Sequence, residues 1–140
     1  LRQPAILELL WADDDSRGAV APLVRRLRER GFRVSVATSY AEALTLLSEG
    51  AFNALLVDII LPRADDTVGL GSYQGLELAR DAAELNIENI AFLTVVQPSE
   101  VAAEYRRLEA DYPGVKFSFH DKMLLLDPKN IDVLANSLRR

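Results

Sequence analysis

Five short apolar runs alternate with stretches of helical period along this chain, and that alternation leaves few folds open. Repeated strand–helix units close most readily into a parallel sheet covered by helices on both faces. The run from Ile6 to Trp11 is apolar apart from Glu8 and stops at Asp13, Asp14 and Asp15. Asp15 or Ser16 is placed to cap a helix that carries Val20, Leu23, Val24 and Leu27 on one face and closes at Gly31. Val34 to Ala37 is a β-branched strand, followed by a helix capped by Ser39, bearing Ala43, Leu44 and Leu47, and ended by Gly50. Ala54 to Ile60 is the most hydrophobic run; apolar on both faces, it is predicted to lie at the sheet centre. A loop of about a dozen residues from Pro62 to Tyr73 is long for a strand–helix connection. A helix over Gly75 to Glu84, a strand over Ile90 to Val96 and a helix over Pro98 to Asp111 come next. Tyr112, Pro113 and Gly114 break the chain before a fifth strand, Val115 to Phe119, and a last helix, Lys129 to Leu138. The expected architecture is a single α/β domain over residues 1–140, a doubly wound five-stranded parallel sheet.

Composition narrows the function classes. At 140 residues and 49% hydrophobic, the chain can bury one proper core. A formal charge of −5 argues against nucleic acid or an anionic membrane as the main partner. Arg25, Arg26, Arg28 and Arg30 form a local basic cluster, read as a solvated helix face. Without cysteine there are no disulfides, thiolate metal sites or cysteine nucleophiles, which is compatible with a cytoplasmic location. No apolar run approaches the roughly 20 residues that a membrane-spanning helix needs, and no signal pattern opens the chain. Because it begins at Leu1 rather than Met, the expectation is a fragment of something longer.

The chemistry-bearing residues fall at strand ends. Ligand sites of open parallel sheets lie beyond the carboxyl ends of the strands. Asp13 and Asp14 leave the first strand there and Asp58 sits near the end of the third; in a sheet of order 2-1-3-4-5 these strands are neighbours. Such carboxylates repel one another unless a cation lies between them, and an oxygen-only, partly open site suits Mg²⁺. Asp58 would then be a carboxylate nucleophile toward phosphorus. Thr94 and Lys122, at the ends of the fourth and fifth strands, could bind phosphoryl oxygens. Each residue also has a plainer explanation: a helix cap, a turn former, a strand residue, an exposed lysine. Yet Asp58 interrupts an apolar strand, where an unpartnered charge is costly, and all four features sit at strand ends. His120, the one histidine, is expected to be solvent-facing or hydrogen-bonded, and Trp11 to pack in or beside the core.

Trp11-Ala12-Asp13-Asp14-Asp15, Val57-Asp58-Ile59-Ile60-Leu61-Pro62, Gly75-Leu76-Glu77-Leu78, Phe92-Leu93-Thr94 and Phe119-His120-Asp121-Lys122 together resemble the response-regulator receiver family of two-component systems, over nearly the whole chain. The resemblance implies a flavodoxin-like fold of order 2-1-3-4-5 and a phosphoryl group received from a histidine kinase or phosphotransfer protein. It further implies Asp58 as phosphoacceptor, with Asp14, Asp58 and the Ile60 carbonyl as Mg²⁺ ligands and Asp13 acting through water. Thr94 corresponds to the switch hydroxyl, Lys122 to the phosphate-binding lysine and Phe119 to the switch aromatic; Phe117 and Phe119 alternate in a strand, so core packing explains Phe119 equally well. Homodimerisation through the last two strand–helix units belongs to the same expectations.

The sequence departs from the family pattern in three places. The loop after Pro62 is longer, and the longer stretch between Thr94 and Lys122 predicts an extended fourth helix. Met123 stands where the family carries a commonly cis proline, predicting a differently shaped fifth loop. Two other functions stay open: a phosphorylation-independent interaction module of the same fold, and a haloacid-dehalogenase-type phosphatase, which Asp14-Asp15-Ser16 fits poorly.

Overall fold

The computed structural model describes residues 6–14, 21–62, 73–123 and 127–139. Five strands, β1 (Leu7–Ala12), β2 (Phe32–Ala37), β3 (Ala54–Val57), β4 (Asn89–Thr94) and β5 (Lys116–Asp121), form one parallel sheet in the order β2-β1-β3-β4-β5. Between and after them lie α1 (Ala21–Glu29), α2 (Tyr40–Glu49), α3 (Gln74–Glu84), α4 (Ala102–Asp111) and α5 (Ile131–Leu138).

The period of two along each strand divides the core. Leu10, Ala12, Leu55, Val57, Ile90 and Phe92 pack on the side of α2, α3 and α4. Leu9, Trp11, Leu56, Ala91 and Leu93 face the other way, against α1 and α5. β3 is buried along its whole length, as its two-sided apolar sequence predicts. Trp11 is fully buried.

Helix ends follow local chemistry. Ser39 Oγ accepts from Glu42 N–H at 3.1 Å, capping α2, and Gly50 closes it through an N–H to Leu46 carbonyl bond of 3.0 Å. Gly31 leaves α1 with φ of 92°, a conformation open chiefly to glycine. The predicted cap of the first helix at Asp15 or Ser16 lies outside the described residues. In the arginine cluster, Arg25 and Arg28 are exposed as expected, Arg28 also donating to Val34 carbonyl at 3.0 Å, whereas Arg30 is half-buried and pairs with Asp132 at 2.6 Å.

Three segments differ from the sequence expectation. The third and fourth strands stop at Val57 and Thr94, short of Ile60 and Val96. The extended fourth helix is absent: α4 has 10 residues, and a separate turn precedes it. There Gln97 and Glu100 cap each other, with Gln97 N–H donating to Glu100 Oε2 at 2.7 Å, and close Pro98–Glu100 as a 3₁₀ turn. Val101, buried beneath that turn, separates it from α4.

Candidate functional site

The carboxyl ends of β3, β4 and β5 share one local device. Just past β3, Asp58 Oδ1 accepts from Ile60 N–H at 3.1 Å. Thr94 Oγ1, at the end of β4, accepts from Val96 N–H at 3.2 Å, and Asp121 Oδ1, at the end of β5, from Met123 N–H at 2.9 Å. A short polar side chain bonded to the amide two residues on diverts the backbone from the strand path, which ends the strands where it does. It also directs those side chains to the sheet edge. Neither Ile60 N–H, Val96 N–H nor Asp121 was singled out from sequence, although a short polar residue closing an apolar run is the signal that marks such turns.

The predicted residues converge there. Asp58 N–H donates to Ala12 carbonyl at 2.9 Å and Asp13 N–H to Ala37 carbonyl at 2.9 Å, so both backbones continue the sheet bonding beyond their strands. One carboxylate oxygen each of Asp13, Asp14 and Asp58 lies within 4.8 Å of the others. Asp13 is 0% and Asp58 5% exposed, whereas Asp14 opens to solvent. Thr94 Oγ1 donates to Asp58 Oδ1 at 2.7 Å. Lys122 Nζ reaches Asp58 Oδ2 and Asp13 Oδ2, each at 2.7 Å. Burial alone would lower the Lys122 pKa, but hydrogen bonds to Asp13 and Asp58, with their charges, hold the ammonium above its ordinary range. Lys122 reaches the site with methionine, not proline, after it; none of the described peptide bonds is cis.

Hard carboxylate oxygens with one open side fit Mg²⁺, which prefers oxygen ligands and retains waters. Three anionic groups in this space, two of them buried, call for more cationic charge than the single Lys122 ammonium carries. The donor set therefore passes the chemical test for a divalent cation.

No family model matches the chain, nor does any curated protein. Solved structures match it over nearly its whole length. The non-phosphorylated HemR receiver domain from Leptospira biflexa is 22% identical, with a TM-score of 0.68 over 96% of this chain and 95% of that one. A CheY-like response-regulator receiver domain protein from Methanospirillum hungatei gives 20% identity and a TM-score of 0.66 over 96% and 97%. The response regulator TrrA of Thermotoga maritima, in complex with Mg²⁺ and BeF, gives 21% and 0.61 over 91% and 96%. The chain has the response-regulator receiver fold.

Phe119 does not touch the carboxylates in any described contact. Its ring lies 5.9 Å from Phe92 and 5.7 Å from Tyr105, half-buried between β4 and α4. Burial, and then the charge of Glu109, push the Tyr105 phenol up to about 12, so it stays neutral in this cluster. His120 is half-buried and hydrogen-bonded, with Nε2 at 3.0 Å from Ser118 Oγ and 3.2 Å from Ser137 Oγ.

Proposed function

We propose that this chain is a phosphoacceptor receiver domain that takes a phosphoryl group onto Asp58 from a histidine kinase or phosphotransfer protein. The observation that carries the reading is the shared Asp58 carboxylate. It is 5% exposed and bonded at 2.7 Å by both Thr94 and Lys122, with the oxygens of Asp13 and Asp14 close enough to share an ion. Asp14, Asp58 and the Ile60 carbonyl would hold Mg²⁺ directly, with Asp13 acting through water. When bound, the ion neutralises charge on the carboxylates and on the incoming phosphoryl group.

The chain's own residues supply the rest. A carboxylate oxygen of Asp58 forms the new bond to phosphorus as the bond to the donor nitrogen breaks, and the donor imidazole leaves with the electron pair. Lys122 and Thr94, which hold Asp58 before transfer, pass their hydrogen bonds to phosphoryl oxygens as charge spreads over them. Thr94 thereby moves relative to Val96, and that displacement shifts the population of surfaces formed by β4, α4 and β5. The reaction is a single self-directed transfer, and the protein works where its kinase does, in the cytoplasm.

Incubation with acetyl phosphate and Mg²⁺, followed by intact-mass measurement, is expected to add one phosphoryl group to the wild type and none to Asp58→Asn. A wild type that stays unlabelled at saturating Mg²⁺ would overturn the reading. One observation favours a second: Lys122 already bridges Asp13 and Asp58, so the buried pair has a cation without any metal. A phosphorylation-independent interaction module would leave it there. Mg²⁺ titration followed by the fluorescence of Trp11, two residues before Asp13, separates the readings, since such a module would give no saturable response.

A further inference from the structure

We infer that Gly75 is a positioning residue for Asp58: the bare backbone of the first turn of α3 is the surface against which the Asp58 peptide is seated. The inference rests on the phosphoacceptor reading and adds to it a second support for the nucleophile, on α3 as well as on the sheet.

A Cβ at Gly75 would stand 2.1 Å from the Asp58 carbonyl oxygen, 2.6 Å from Ile59 Cα and 2.9 Å from the Asp58 carbonyl carbon. All three are backbone atoms, so no side chain can swing aside. The contact is held from both directions. Gly75 N–H donates to Ile59 carbonyl at 3.0 Å, and Tyr73 forms a parallel bridge with Leu61. Behind Gly75, Leu78, Ala79 and Ala82 are all 0% exposed, so α3 has no room to tilt away without opening its packing on the sheet.

Asp58 has no retreat either. Its N–H is bonded to Ala12 carbonyl at 2.9 Å, and its carboxylate to Ile60 N–H, Thr94 and Lys122. Glycine here answers to close approach rather than to a left-handed backbone. Its small neighbours Ala79 and Ala82, four and seven residues on, continue the face that lets α3 lie so near the sheet. Adding one methyl must drive the Asp58 peptide and the helix apart by about 1 Å, and a displacement of that size at a reacting group costs on the order of 100-fold in rate.

The test is Gly75→Ala, with wild type and Leu134→Ala as comparators. Leu134 is buried in α5 on the opposite face of the sheet, so its loss lowers stability without touching Asp58. Under conditions where all three are fully folded by circular dichroism, labelling by acetyl phosphate at saturating Mg²⁺ is followed over time. The expected result is a rate about 100-fold below wild type for Gly75→Ala, with Leu134→Ala near wild type. Gly75→Ala labelling as fast as Leu134→Ala would overturn the inference while leaving the phosphoacceptor reading intact. An unlabelled wild type would instead remove the reading and the inference with it.

Should Gly75→Ala fail to fold, amide hydrogen exchange of the wild type decides. Addition of Mg²⁺ and beryllofluoride is expected to slow exchange of Gly75 N–H and to leave Leu85 N–H, at the far end of α3, unchanged. No change at Gly75 would overturn the inference.

Discussion

The two halves of the candidate site are built differently. Asp13, Asp58 and Thr94 emerge from β1, β3 and β4, each flanked by strands on both sides, and none is more than 5% exposed. Lys122, Phe119 and Met123 belong to β5 and the turn after it, at the sheet edge; Phe119 is half-buried and Met123 is 59% exposed. The two buried carboxylates, Asp13 and Asp58, thus sit among central strands, whereas the cation that answers them is delivered from an edge strand with a single neighbour.

The largest expected effect comes from removing the charge at the sheet edge. Lys122→Ala leaves two buried carboxylates facing each other, and in metal-free urea denaturation should cost about 3–5 kcal/mol. Saturating Mg²⁺ should restore most of that loss by binding the folded state. An equal loss with and without Mg²⁺ would show that the lysine and the ion do not compete for the same negative charge.

An aromatic from each half gives first a comparable effect and then a smaller one. Phe92 is fully buried on β4, so Phe92→Ala should cost about 3–5 kcal/mol. Phe119→Ala, at the half-buried edge of the same ring cluster, should cost about half as much, because part of its surface is already solvated. Matched losses in thermal or urea unfolding would erase the distinction between centre and edge.

The smallest effect is proton-linked. Burial, and then the charge of Lys116, lower the His120 pKa below its ordinary value. The fold therefore favours the neutral ring: stability is intact above the unfolded histidine pKa and declines as pH falls through that value toward the lower folded one. His120→Gln should flatten this part of the stability–pH curve. A variant curve with the wild-type slope would assign the decline to other groups.

Much of this arrangement was legible in the residues. Alternating apolar and helix-period segments specify parallel strands covered by helices, because each face needs its own apolar layer. Asp13, Asp14, Asp58, Thr94 and Lys122 were identifiable because a charged or polar group closing an apolar run has few inexpensive explanations. Less was legible where two causes produce one pattern. Pro98 to Asp111 scans as one helix, yet the reciprocal cap of Gln97 and Glu100 splits it at Val101. Phe119 carries the same alternation whether it packs or switches.

The order and period of the segments thus determined the fold by themselves, since local hydrogen bonding and burial of apolar faces act on neighbours along the chain. Only the tertiary structure decided the contacts among distant residues. It brought the Lys122 ammonium onto Asp13 and Asp58 and pressed the bare Gly75 backbone against the Asp58 peptide. Distances of that kind depend on how β3, α3 and β5 pack together, and no spacing within one segment encodes them.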